Sequence, residues 1–531
     1  MMADFFVLGI GGTGMRCIES LIHLCAMGMF DDTTIHLLAL DTDKNNGNFK
    51  RLKDLKDSYV KAKGGTNPLS KTFFSAALEY YEFSPNYQSN SNFVERFDYT
   101  ITQQKNKHRS DLADLVLTDN VEKFNLDHGY RAQTHLGSMM MYHSIVEMAD
   151  KDCDLTKFLD RFAQGAKNGA KMFILGSVFG GTGASSIPII PLAFKDTIAK
   201  RSGDVSDIMQ SAYFGSTLLT AYISFKTPNE DQLKKERIVA TSDKFDINSQ
   251  VAMMFYNADP TVRNAYSRFY MLGCDSKWDP MSRQEGKVAE TLTGGASQEN
   301  DSHYIELMAA CAALDFFKTD NATLKKSEDG PQYLYRAIDE SGKLEFQDFV
   351  NVADEKAFAQ RFGTLVAFSL FCNGDDDFVS KIQEKKHVEI QDFGEIDVNQ
   401  IKYLKQYFKL FHWKRTENLK DGEGWLRQLH RSAGGSDKFL FNQNLFSPTT
   451  HKELMGLKWN KDLYRSEGFG KDYKYDFGLG GFGIGGSKFD EFKKKFIEYY
   501  KKGDKGQSEN KGEQLYKLVF DTLASLYKFA N

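Results

Sequence analysis

The chain has 531 residues, too many for one compact core, and its 41% hydrophobic and 26% charged content is that of an ordinary globular protein. Lys plus Arg number 68 against 72 Asp plus Glu, a net charge of −4, which argues against a general affinity for nucleic acid or anionic membrane, and no apolar run of about 18 residues offers a membrane span. The N-terminus enters a strand by residue 5 without a signal segment, and the six cysteines are scattered without metal-ligand spacing, so a cytoplasmic protein with buried thiols and no bound metal of its own is expected.

Residues 5–9 read as a short buried strand and 15–29 as a helix, with Ile18, Leu21, Ile22 and Cys25 on its apolar side. "TIHLLALDTD", 34–43, is a second strand that ends in acidic and hydroxyl residues. Strand, turn, helix and strand in this order belong to a parallel sheet. Residues 44–120 are polar and read as a long insertion, with loops at "KGGTNPLSK" and "NYQSNSN". "GYRAQTHLGSMMMYHSIVEMAD", 129–150, is a loop entering a helix. Next come a strand at 172–177, a glycine turn, a helix around 191–200 and a strand in "MQSAYFGSTLL". Helices within 230–267 and a strand in "RFYMLGCD" follow, and this alternation makes the fold class α/β.

"HYIELMAACAALDFFK", 303–318, is apolar almost all round, so it is a helix with no solvent face, buried between layers or domains. Beyond it, "PQYLYRAIDESGKLEFQDF" reads as a hairpin turning at residues 340–342, and 355–372 as an apolar helix. Residues 466–488 are rich in glycine and aromatics and read as an extended loop. Helices at 489–502 and 515–529, joined by a linker, carry apolar stripes. Such a stripe either docks on the body or fills a partner's groove.

Two glycine turns carry the chemistry. "GIGGTG", Gly9 to Gly14, follows the first strand, and Gly180, Gly181, Thr182 and Gly183, with Ser185, follow the strand at 172–177. Glycines at a strand end let backbone N–H groups approach an oxyanion, and the next helix points its positive end at the same place. A dinucleotide-binding Rossmann domain needs one such turn, with Asp41 as its ribose acid; two donor-rich turns suit a di- or triphosphate. Neither is a Walker loop, since no G-K-[ST] follows.

"FGGTGAS" resembles the glycine-rich signature loop of the tubulin/FtsZ superfamily, of form G-G-G-T-G-[ST]-G, with Phe179 in place of the first glycine and Ser185-Ser186 at its end. "LGIGGTGMRC" resembles that family's first phosphate loop, "LLALDTD" its second-strand loop, and "GYRAQTHLGSMMM" stands where its γ-phosphate-sensing loop would. "GGASQENDSHYIELMAACAALDFF" is similar to the central helix of the large divergent bacterial tubulin-like proteins, so the likeness runs in order over about residues 5–318.

The resemblance implies a nucleotide-binding domain over 1–300 and a central helix at 301–318. A second, activation-like α/β domain over 319–400 and a helical C-terminal extension over 401–531 would follow. It implies GTP or GDP with Mg²⁺. Gly11, Gly12, Thr13 and Gly14 would hold the phosphates from one side, and Gly180, Gly181, Thr182, Gly183, Ala184 and Ser185 from the other. Asp41, Thr42 and Asp43 would sit near the ribose or magnesium, Gly137 and Ser138 at the γ-phosphate, Glu230 at the ribose, and Asp275 and Asn300 at the base edge.

In the family a neighbouring subunit's acids complete hydrolysis; Asp354 and Glu355 in "VNVADEKAF" resemble that loop, and they also suit a helix start, where the dipole favours acids. The function implied is a cytoplasmic GTPase that assembles head-to-tail into filaments, with a further protein partner for the C-terminal tail. Three other readings stay open: a Rossmann NAD- or FAD-dependent oxidoreductase, a tubulin-fold protein that binds nucleotide without turnover, and a nucleotide-switched scaffold.

Overall fold

The computed structural model describes residues 3–31, 33–64, 72–87, 92–97, 107–126, 129–166, 169–203, 211–226, 229–235, 238–274, 299–325, 329–338, 348–349, 355–373, 393, 396–412, 424–432, 488–503 and 510–526. β1 (Ala3–Ile10) leads through α1 (Gly11–Ala26) to β2 (Thr33–Leu40), and α2 (Gly47–Lys63) leads to β3 (Ala77–Phe83). A long connection then holds α3 (Thr134–Val146) and α4 (Asp154–Ala166) before β4 (Lys171–Leu175). α5 (Gly181–Ser186) and α6 (Ile190–Ser202) precede β5 (Tyr213–Leu219), α7 (Phe245–Ala258) precedes β6 (Arg268–Cys274), and α8 (Tyr304–Lys318) precedes β7 (Gln332–Ile338).

The seven strands form one sheet in the order β3-β2-β1-β4-β5-β6-β7, and every pairing is parallel. Val7 of β1 stands opposite Leu37 on one side and Phe173 on the other. Sheets of this kind are covered on both faces, which explains the unbroken apolar runs of β1, β2 and β4. The chain moves outward from β1 to β3 and then returns to β4 on the far side of β1. At such a reversal the loops leaving the two strand ends part, and a crevice opens between them.

One face carries α1, α2 and α8, with α9 (Glu355–Asn373), α10 (Val398–His412), α11 (Trp425–Ser432), α12 (Lys488–Lys501) and α13 (Lys511–Leu526) packed outside them. The other face carries α3, α4, α6 and the inner side of α7. α8 is buried along its length except at Asp315 and Lys318, as its all-round apolar sequence implies. Its start is fixed by a capping box: the His303 ring accepts from Ile305 N, and Glu306 Oε2 accepts from His303 N at 2.9 Å.

Two expectations are corrected by this sheet. The segment 44–120 is not a bare insertion, because it supplies α2 and the edge strand β3. α2 buries Phe49, Leu52, Leu55, Tyr59 and Ala62 at helical spacing, a stripe masked in the sequence by its lysines. The segment 331–338, expected as the first arm of a hairpin in a second domain, pairs parallel with β6 as the seventh strand of this sheet. The turn at 340–342 and residues 343–347 of the second arm lie outside the described residues.

The tail helices answer the question of their stripes. Phe492 and Phe496 of α12, and Leu515, Tyr516, Leu518, Val519 and Leu523 of α13, belong to the same core as α1 and α8. Those faces dock on the body. The glycine-aromatic stretch 466–487 lies outside the described residues. Five cysteines are buried and Cys153 is half-buried, and none of the six is in a disulfide. Among the described residues, no helix is long and apolar enough to cross a membrane.

Candidate functional site

The loops leaving β1 and β4 meet at the reversal point and line one cleft, of about 170 Å³. They lie side by side: a Cβ on Gly11 would stand 3.7 Å from Thr182 Cβ. Gly11 has φ +69°, a backbone that favours glycine. α1 and α5 both begin without a side-chain cap, Ile10 and Gly180 holding the cap positions. Other helix starts divide: Asn46 caps α2 and His303 caps α8, while α3, α6 and α7 begin without a side-chain cap. The first turns of α1 and α5, with no side-chain cap on their N–H groups, line the cleft, and for the long helix α1 the dipole adds positive potential there.

A third wall comes from the turn 129–132. Gly129, Arg131 and Ala132 all have positive φ, of 90°, 45° and 64°. Non-glycine residues held in that region cost energy and concentrate at functional sites. Arg131 Nη1 donates to the Ile238 carbonyl at 2.8 Å, which fixes the turn against the segment after β5.

Part of the lining is apolar: Phe179, Ile223, Phe225, Ala240 and Phe245. The Phe179 and Phe245 rings lie 5.0 Å apart and tilted, and Phe225 meets Phe245 edge-on at 6.1 Å. The cleft thus has a donor-rich part and an aromatic cluster. That is the polarity of a ligand with an anionic group on one side and a planar apolar group on the other.

Asp41 and Asp43 line the same cleft. Asp41 Oδ1 accepts from Thr42 N at 2.7 Å and Oδ2 from Asn46 Nδ2 at 2.9 Å. Burial, and next the charge of Asp43, push the Asp41 carboxyl up to about 7. A carboxyl of ordinary pKa near ~3.9 that is raised on folding binds its proton more tightly in the native state. The stabilisation this gives is complete below about pH 4 and is lost as pH rises through about 7. Wild type should lose about 2–3 kcal/mol between about pH 5 and about pH 8 that Asp41→Asn does not lose. Thermal unfolding of both proteins at the two pH values checks this, and parallel losses would refute it.

The other expected site residues divide. Gly12, Thr13, Gly180, Gly181, Thr182, Gly183 and Asn300 line the cleft with Gly11, Asp41 and Asp43. Asn300 is buried, and its Oδ1 has no partner among the described residues, so an acceptor stands ready in the wall. Thr42 lies just behind, its N–H spent on Asp41. Gly14 is a packing residue: a Cβ there would come 2.5 Å from the Leu175 carbonyl oxygen, so glycine lets α1 settle on the sheet. Ala184 and Ser185 are buried in α5, away from the lining, and Ser185 Oγ donates to the Gly181 carbonyl at 2.6 Å.

Gly137 and Ser138 do not face the cleft. A Cβ on Gly137 would meet Tyr130 Cδ2 at 2.5 Å, and Ser138 Oγ donates to the Ser185 carbonyl at 2.7 Å, so both fasten α3 to α5. The loop expected at the γ-phosphate does reach the cleft, but through 129–132. Glu230 is exposed at the start of a short helix and is not part of the lining. Asp275 and Asp354 lie outside the described residues, as does the Glu355 side chain, although Glu355 opens α9. Among the described residues no group of three or more His, Cys, Asp or Glu is placed to hold a metal ion.

Sequence reasoning missed Arg16, Arg131 and the aromatic wall. Arg16 had a signal: an arginine in a helix whose other side is a continuous apolar stripe, matched by Glu306, the one acid in the first two turns of an almost all-apolar helix. Buried charges of opposite sign are expected to pair. Compared with known proteins, the chain matches no family model and no curated protein.

Proposed function

We propose that this chain is a tubulin/FtsZ-like guanine-nucleotide-binding protein that holds one GTP or GDP in the cleft between β1 and β4. The observation that carries the reading is that two glycine loops far apart in the sequence line one cleft.

 The loops open at Gly11 and Gly180, 169 positions apart, yet they share one wall of one cleft. The uncapped helix starts supply donors for phosphate, and the aromatic cluster supplies a place for a base. The strand order, with the site at its reversal point, is compatible with this fold and equally with a Rossmann-like one. The second glycine loop and the strained turn at 129–132 favour a clamp for several phosphates over a single pyrophosphate loop.

Asp41 and Asp43, in the cleft wall, would hold Mg²⁺, which would supply positive charge against the phosphates. The chain's own residues would bind the phosphates through backbone N–H groups and Thr13 and Thr182 hydroxyls, and exclude water at the aromatic cluster. Head-to-tail self-association would bring the acids around Asp354 and Glu355 of one copy to the cleft of the next, coupling assembly to hydrolysis.

The test is to denature freshly purified protein and identify released nucleotide by ion-pair chromatography, with Thr182→Ala protein alongside. Guanine nucleotide from wild type, and much less from the variant, is expected. A dinucleotide would hand the site to the Rossmann reading. An empty protein that also takes up no GTP would sink the nucleotide function.

A further inference from the structure

Arg16 is a buried cation in the wall of the cleft, only 3% exposed. Its Nε donates to Glu306 Oε1 at 2.7 Å, and its Nη2 to the Tyr222 hydroxyl at 3.2 Å and Thr13 Oγ1 at 3.4 Å. The Tyr222 hydroxyl in turn donates to Glu306 Oε1 at 2.5 Å. Three contacts therefore fix the guanidinium plane, from α8, from the segment after β5 and from α1 itself. The remaining nitrogen, Nη1, lies on the Gly12 side, where a Cβ on that glycine would come within 3.5 Å of it.

Two features suggest that this nitrogen has a use. The cleft also holds the carboxyl groups of Asp41 and Asp43, which would repel a phosphate unless a cation stood nearby. The other arginine in the wall, Arg131, donates to the Ile238 carbonyl. Burial works against the charge of Arg16, but Glu306 and Tyr222 more than offset it, so the group stays a cation. A guanidinium held in one plane presents its N–H edge to an oxyanion with little further loss of freedom.

We propose that Arg16 contacts the ligand's phosphate through its Nη1 edge, beside Gly12 and Thr13, and that Glu306 and Tyr222 are positioning residues that aim it. The inference rests on the nucleotide reading above. Since Glu306 stands in the first turn of α8, the same contact joins the occupied cleft to the head of the buried helix.

The experiment is equilibrium dialysis of the full-length wild type, Arg16→Gln and Arg16→Lys against GTP, GDP and guanosine. Arg16→Gln should weaken both nucleotides about 10- to 100-fold and guanosine less than about 3-fold. Arg16→Lys, which keeps the charge without the fork, should fall between. A purely structural brace would weaken nucleotide and nucleoside alike, and an unchanged ratio between them overturns the proposal. If Arg16→Gln fails to fold by circular dichroism, the ratio measured on Arg16→Lys decides in the same way. A wild type that takes up no nucleotide defeats the nucleotide reading itself, and this inference with it.

Discussion

Gly181→Ala should cost at least about 100-fold in nucleotide affinity, while Gly180→Ala, one position away, should change it by less than about 3-fold. The two glycines look interchangeable in the sequence and are not in space. A Cβ on Gly181 would stand 2.7 Å from the Ala132 nitrogen, 2.9 Å from the Arg131 nitrogen and 3.1 Å from the Tyr130 carbonyl carbon. All three are backbone atoms, and they belong to the turn whose Arg131 and Ala132 already hold left-handed φ. That turn has no easy way to yield, so the methyl group would push it out of the cleft wall. A Cβ on Gly180 meets only Ser177 Oγ, at 3.5 Å, and the residue has an extended backbone that alanine adopts freely. Binding of labelled GTP to the two variants, with their melting temperatures, measures the contrast. Equal losses would mean that the 129–132 turn is not part of the ligand's wall.

Arg51→Ala should destabilise the protein by about 3–5 kcal/mol and loosen the C-terminal helices from the sheet. Arg51 Nε donates to Glu19 Oε1 at 3.0 Å, and Nη2 also pairs with Glu19 Oε2. Its Nη1 donates to the Asn300 carbonyl at 2.5 Å, and Nη2 to Ser302 Oγ at 2.7 Å and Gln428 Oε1 at 2.9 Å. One buried guanidinium therefore joins α1, α2, the approach to α8, and α11. Removing it leaves the Glu19 carboxylate in the core without its cation. Trp425 of α11 is fully buried, with its indole N–H donating to Ser20 Oγ at 3.1 Å. Denaturant titration followed by tryptophan emission should show the lost stability, with limited proteolysis within the C-terminal helices at concentrations of protease that spare wild type. A loss below about 1 kcal/mol, with the helices still protected, would show that apolar packing alone holds that layer.

Arg51 also shows why part of the architecture was not legible. In the sequence it is one basic residue among the lysines of α2, and Gln428, its partner on α11, is 377 positions away. Nothing local distinguishes such an arginine from a solvated one. The same holds for 331–338: an alternating stretch reads as a strand, but parallel pairing to β6 is a choice among neighbours that the stretch itself does not encode.

What the sequence determined by itself is local. The apolar runs at β1, β2 and β4, the glycines that follow β1 and β4, and the helix at α8 with no polar face all follow from backbone freedom and side-chain periodicity within a few turns. Tertiary structure alone decided which of those residues share a cleft. It brought Gly11 beside Thr182, replaced Gly137 and Ser138 at the wall by the turn 129–132, and set Arg16 against Glu306 across 290 positions. The physical reason is that a buried charge or an uncapped helix end announces a need for a partner, but the partner is chosen by the packing of distant elements against one sheet.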